Sequence, residues 1–152
     1  MELNIQDLAV SSSDIESHQE IDPRFAADTG NVAPTITITG VPENAVELAL
    51  VLHDPDAPLP HGFTHWTVYG IDPKTATIDG TTDGAYRFGQ NGMGEFTYSG
   101  PQPPPGHGTH HYYFWAYALD TTVSGTPSRE GFLATYGSNI VEQNRLVATY
   151  QR

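Results

Sequence analysis

The chain has 152 residues, with 18 acidic against 6 basic side chains and a net charge of −12 at neutral pH. Phosphate backbones are held by clustered Lys and Arg, so this balance argues against nucleic-acid binding. There is no cysteine, hence no disulfide framework and no thiolate chemistry, and no apolar run approaches the length of a membrane span.

The length fits one domain over 1–152, large enough to bury a proper core. The first residues lack a basic segment followed by an apolar one, so the expectation is a soluble, cytoplasmic protein. The acid excess is spread along the chain without blocks, as expected of a solvated shell screened by a salt-rich cytoplasm, and a halophilic source is the corresponding expectation.

In chain order, the sequence predicts an edge strand around Leu3 to Val10 and a turn or short extended piece at Ile21-Asp22-Pro23-Arg24-Phe25. A short strand is expected over 35–39, where Ile36 and Ile38 alternate with threonines. The stretch 46–69 is the most informative. Val46, Leu48, Leu50 and Leu52 point one way and Glu47, Ala49, Val51 and His53 the other, the period of a strand. It stops at Asp54-Pro55-Asp56-Ala57-Pro58, where two prolines remove ladder donors and leave two carboxylates in a stiff turn. A second strand follows, with His65, Thr67 and Tyr69 assigned to one face and Trp66 and Val68 to the other. Carboxylates in a constrained turn beside a strand-start histidine suit a site, although aspartates also cap turns for purely local reasons.

Residues 70–94 read as loops with a short strand near Thr77-Ile78. The glycines of 89–94 require irregular backbone, but no Lys-Ser/Thr follows them, so no phosphate-cradling loop and no cofactor is expected. The proline-rich run 98–106 is extended or turned, either as a site loop or as a polyproline ligand. It leads into a strand over 110–119, bulky on both faces and so central in its sheet, with His110, Tyr112 and Phe114 on one side. Thr126 and Pro127 fit an N-cap and first helical residue, with a short helix through Phe132-Leu133. A last helix is expected from about Ser138 to Tyr150, burying Ile140, Val147 and Tyr150. Short β-branched segments separated by Gly, Pro and Asn give a mainly β fold.

These pieces together resemble the phosphatidylethanolamine-binding protein family, in its prokaryotic branch of Raf kinase inhibitor-like proteins. The resemblance runs from Gly30-Asn31 and Ala33-Pro34 through Asp54-Pro55-Asp56-Ala57-Pro58, His65-Trp66 and Gln90-Asn91 to 98–106 and His110-His111-Tyr112. It implies a sandwich of two antiparallel sheets with a few peripheral helices, one at the C-terminus, and a small anion pocket at one end. It also assigns that pocket: Asp54, Asp56 and Pro58 from the turn, His65, the Gly100-Pro101 wall, and His110 with Tyr112. Ala57-Pro58 becomes a candidate cis peptide. Three departures stand out. His111 replaces the usual arginine, two extra residues around His107-Gly108-Thr109 lengthen a loop, and Tyr98 is expected to narrow the mouth.

In such a pocket Asp54 would accept from His65 or His110, leaving the other ring nitrogen for the ligand. The leading reading is a non-enzymatic binding module for a small anionic or phosphorylated ligand. An inhibitor of a kinase or protease acting through the pocket rim is the second reading. A metalloenzyme using His107, His110 and His111 is the third, though their spacing fits no standard zinc pattern.

With this charge and one lysine, thermal stability should rise as potassium chloride screens the self-repulsion. Melting curves at low and high salt test it; flat or falling midpoints would remove self-repulsion as a significant term.

Overall fold

The alternation over 46–52 becomes β3 (Glu47–Asp54), a strand buried along its whole length. The computed structural model describes residues 4–74, 77–81 and 84–152. Among these, β3 lies at the centre of a five-stranded antiparallel sheet, between β4 (Phe63–Ile71) and β7 (His110–Leu119). β6 (Arg87–Phe88) pairs with β4, and β8 (Ile140–Tyr150) pairs with β7. A second antiparallel sheet holds β1 (Ala9–Ser11), β2 (Ile36–Thr39) and β5 (Thr77–Ile78).

The period of two decides what each face does. Leu48, Leu50, Leu52, Val68, Phe114 and Ala116 face the smaller sheet and pack with Leu8, Ile36, Ile38 and Ile78 in the main core. Ala49, Val51, Tyr69, Tyr117 and Leu119 face the other way and are covered by Phe132 of α1 (Arg129–Tyr136). The large sheet is thus sandwiched between the small sheet and a helix, which accounts for the bulk on both sides of β7.

Several expectations need correction. The segment from about Ser138 to Tyr150 is a 3-10 turn, Gly137–Asn139, followed by strand β8. Its period of two was hidden because two inward positions are polar. Glu142 Oε1 accepts from the backbone N–H groups of Asp7 and Leu8 at 2.9 and 3.0 Å, and Asn144 Nδ2 donates to Leu8 O at 2.8 Å. These side chains fasten the N-terminal segment to the sheet where apolar residues would ordinarily sit. The outer edge of β8 is covered as well: His18 N–H and Ile21 N–H donate to Val147 O and Thr149 O. An edge so occupied offers no free ladder to another chain.

The first strand is shorter than expected: Leu3 lies outside the described residues, and the strand is Ala9–Ser11. The cap of α1 is Ser128, whose Oγ accepts from Gly131 N–H, in place of Thr126. Pro127 precedes the helix, and its carbonyl accepts from the Tyr69 hydroxyl at 3.0 Å. No cis peptide occurs among the described residues, so Ala57-Pro58 is trans. Asp54 Oδ1 accepting from Asp56 N–H at 2.7 Å reverses the chain without one.

The β3–β4 ladder carries an irregularity that matters for the site. Leu52 pairs with Trp66, but the next residue, His53, pairs with Thr64. His65 is the extra residue of a β-bulge. Instead of following Thr67 to the helix side, it turns to the core side together with Trp66, its ring against Tyr112 at 5.4 Å between centroids.

Replacing Glu142 by Ala would leave two backbone donors without their partner, one of them in a fully buried bond. At about 1–3 kcal/mol for an unsatisfied buried group, we expect a loss of roughly 2–3 kcal/mol in urea unfolding. A loss below about 0.5 kcal/mol would mean that the 4–8 segment is held by other contacts.

Candidate functional site

At the end of the sandwich where β3 stops, β4 begins and β7 begins, a cleft of about 370 Å³ opens. Asp54, His65, His110 and Tyr112 line it, although they are spread over nearly sixty positions. Each is placed by a local rule. Asp54 follows Leu48, Leu50 and Leu52 on the core face of β3. His110 and Tyr112 share that face of β7, and the bulge delivers His65. Phe63, the residue opposite Asp54, stacks edge-on against His65 at 4.8 Å.

Hydrogen bonds fix the state of these groups. Asp54 is 2 % exposed; its Oδ1 is occupied by Asp56 N–H and its Oδ2 accepts from His110 Nδ1 at 2.7 Å. With its proton on Nδ1, His110 is left with Nε2 as an acceptor, and His107 Nδ1 meets it at 2.6 Å. The chain Asp54–His110–His107 therefore runs from the buried cleft to an exposed ring. Two doubly protonated rings would set N–H against N–H, so the pair holds at most one excess proton while the contact persists. This corrects the expectation that the second nitrogen of the Asp54-bonded ring points at a ligand. His107 sits on the lengthened loop as foreseen, yet it folds back onto His110.

His65 is oriented differently. Its Nδ1 lies 2.8 Å from Ser99 O, and a carbonyl only accepts, so the proton is on Nδ1 and Nε2 is left unbonded at the cleft. Burial holds the His65 pKa below its ordinary value, partly offset by the Ser99 bond and the Asp54 charge. The Tyr112 hydroxyl is buried and has no hydrogen-bond partner. Burial, with the Asp54 charge behind it, pushes its pKa up, so it stays a neutral O–H donor.

The remaining sequence candidates divide. Gly100 and Pro58 line the cleft. Gly100 must be glycine because an added methyl would strike the Phe25 carbonyl, and its N–H donates to Asn31 Oδ1 at 2.7 Å. Pro101 is buried behind the wall, its carbonyl accepting from Ala27 N–H. Asp56 is outside the cleft: its Oδ2 accepts from both the His111 backbone N–H and His111 Nδ1 at 2.8 Å, stapling the turn to β7. Desolvation pushes the Asp56 carboxyl up, but the His111 bonds win and hold it below the usual range. Tyr98 does not narrow the mouth; it packs edge-on against Trp66 and donates to Phe25 O.

The rest of the wall, formed by Leu59, Phe63, Met93, Pro103 and Pro104, is largely apolar. Leu59 and Met93 are each more than half exposed. Only the proline run was legible as site-forming; nothing local marks Met93 or the fold-back of His107. Among the described residues no three His, Cys, Asp or Glu side chains are grouped to hold a metal ion. None of the described helices is long and apolar enough to cross a membrane.

A sheet sandwich with this cleft at its end is the arrangement that the resemblance implied. The family model described as phosphatidylethanolamine-binding protein matches residues 11–151, and the chain belongs to that family. A UPF0098 protein of Pyrococcus horikoshii is 33% identical over 150 residues, covering 93% of this chain and 75% of the relative. LppC of Mycobacterium tuberculosis, named as a proposed lipoprotein, is 37% identical over 147 residues, covering 95% and 72%. The crystal structure of Escherichia coli YbcL, titled a new member of the mammalian family, superposes with a TM-score of 0.88 at 27% identity, covering 97% and 99%. These support the prokaryotic branch. The fold is also shared, at 18% identity and a TM-score of 0.52, with a carboxypeptidase Y inhibitor solved with its cognate proteinase, covering 95% of this chain and 83% of that one.

Burial lowers the pKa of His65, and burial with the Arg129 charge lowers that of His53 to about 4. Below pH 6.5 the unfolded chain binds protons that these folded rings refuse, so their contribution is present above 6.5 and is lost as pH falls toward about 4. Loss of net charge over the same range acts in the opposite sense, so the informative comparison is with a variant. In high salt, His53→Gln should lose less stability between pH 7 and 4.5 than the unchanged protein. Parallel pH profiles would mean that His53 titrates normally.

Proposed function

We propose that the chain is a non-enzymatic binding protein that takes a small phosphate-bearing or other anionic ligand in the cleft between Asp54, His65, His110 and Tyr112. The observation that carries this reading is the Tyr112 hydroxyl, buried at the cleft without a partner. An orphaned buried hydroxyl costs about 1–3 kcal/mol, a cost removed when a ligand oxygen accepts from it. His65 sets the protonation requirement. Its free Nε2 is an acceptor when the ring is neutral, so the ligand brings its own proton, as a phosphate monoanion does, or the ring gains one on binding. Asp54 does not oppose the anion as a bare charge, because both its oxygens are occupied. Gly100 lets the wall pack against the Phe25 carbonyl, Pro58 forms part of the rim, and Asp56 and Pro101 hold the walls from behind. The apolar wall suits a ligand with a short hydrophobic body beyond its anionic head.

Catalysis finds less support. Ser99 is on the wall, but its Oγ lies against Met93 Sδ at 3.7 Å instead of a ring nitrogen, so no nucleophile is paired with a base there. The second reading is an inhibitor acting through the rim. It is favoured by the exposure of Leu59 and Met93 at the mouth and by the fold shared with a proteinase inhibitor.

Calorimetric titration with inorganic phosphate tests the first reading. Affinity should be weak, in the ~mM range, because a bare ion must be desolvated with few contacts in return. It should fall as pH rises through the histidine range, as protonated ligand and protonated ring both become scarce. Tyr112→Phe should weaken it about tenfold without moving that pH profile. His110→Ala should cost more than His107→Ala, since His107 acts through His110. Affinity independent of pH and untouched by Tyr112→Phe would place phosphate elsewhere.

A further inference from the structure

His53 and Asp54 are neighbours on β3 and therefore serve opposite faces of the sheet. Asp54 belongs to the cleft already described, whereas His53 lines a second one, of about 570 Å³, on the helix-covered side. The two clefts flank the same turn: Ala57, Pro58 and Leu59 face the first, Pro55, Pro60 and His61 the second.

Its chemistry is unlike the rest of the molecule. In a chain with only 6 basic residues against 18 acidic ones, two arginines, Arg129 and Arg145, line this one cleft. Arg145 projects from β8 opposite Trp115, with its guanidinium carbon 5.5 Å from the Tyr113 ring centre and 5.3 Å from that of Trp115. At these distances the guanidinium is attracted to the ring faces as a cation, which holds its fixed charge at the cleft. No carboxylate among the described residues pairs with it. Arg129 bonds Glu130 at 3.3 Å through one terminal nitrogen, while its Nε is buried and has no partner. His53, 6 % exposed, is held through Nδ1 by the Thr64 hydroxyl at 3.0 Å, and its Nε2 is left unbonded. A hydroxyl that donates to Nδ1 makes Nε2–H a third donor beside the two arginines.

We propose that this second cleft is a binding site for a small oxyanion-bearing molecule, held by Arg129 and Arg145 with His53 Nε2 donating from the wall. It is separate from the proposed phosphate cleft and does not depend on it. A buried Arg129 Nε without an acceptor and an unbonded His53 Nε2, beside an exposed Arg145 that no carboxylate among the described residues neutralises, are what an anion site requires within an otherwise acidic surface.

Trp115 provides the readout, because the chain has only two tryptophans and Trp66 is fully buried in the main core. The probe is inorganic phosphate, added at constant ionic strength and followed at the Trp115 indole N–H by NMR, with Trp115→Phe assigning the signal. We expect a saturable shift that is retained in His110→Ala, and a midpoint raised about tenfold or more in both Arg145→Gln and Arg129→Gln. Both arginine side chains reach solvent, so dispersed amide spectra of the variants confirm that the fold persists. A shift linear in phosphate, a midpoint unmoved by the arginine variants, or a response abolished by His110→Ala would each overturn the proposal. The last outcome would assign the signal to the front cleft acting through the shared turn.

Discussion

The contact between Asp54 and His110 organises the end of the sandwich. Both side chains are nearly inaccessible and meet at 2.7 Å, joining the last residue of β3 to the first of β7. A buried pair of this kind is not a large source of net stability, since desolvation offsets most of the attraction. Its effect is positional. Removing one partner leaves a carboxylate or ring without compensation, which costs about 3–5 kcal/mol, so the two strands are held in one register at their open ends. Asp56 repeats the tie one step further out through His111, at the exposed rim. The 54–58 turn is therefore fastened to β7 twice, and the two clefts lie on either side of a rigid partition.

This arrangement also explains why arginine is not needed at position 111. A histidine there bonds Asp56 through both its backbone N–H and its ring. The turn is secured by geometry that a shorter side chain reaches, and the rim loses a fixed positive charge. Two of the six basic residues lie instead on the reverse face, where Arg129 and Arg145 come from α1 and β8.

Much of this was legible from the residues. The period of two over 46–52 and 110–119 gave the central strands and put His110 and Tyr112 on one face, whereas their meeting with Asp54 was what the family resemblance implied. Two kinds of information were not local. In β8 the inward Glu142 and Asn144 serve the backbone of residues near the N-terminus, over a hundred positions away, and their polarity broke the alternation that defines a strand. In β4 the alternation was legible but its phase was not: strict period two sends His65 to the helix side, and only the paired strand reveals the bulge that returns it. His107 belongs with the first kind. Its partner is three residues away, but the loop must close before the two rings face each other.

The bulge has a consequence for how this sheet can change. Each strand carries two interleaved texts, one read by the core and one by the helix layer, and substitutions normally edit one without disturbing the other. At Thr64, His65 and Trp66 the texts share a frame marker, since one extra residue sets which side reads which letter. Forcing the strand into strict alternation at its present length would shift the reading frame of the strand end and send both Phe63 and Thr64 to the wrong layer, unseating His65 at the front and the Thr64 support of His53 at the back. Deleting the extra residue would keep that frame and remove the His65 ring alone. Drift within either face is tolerated by such a sheet, whereas straightening the bulge at full length would disturb both faces at once.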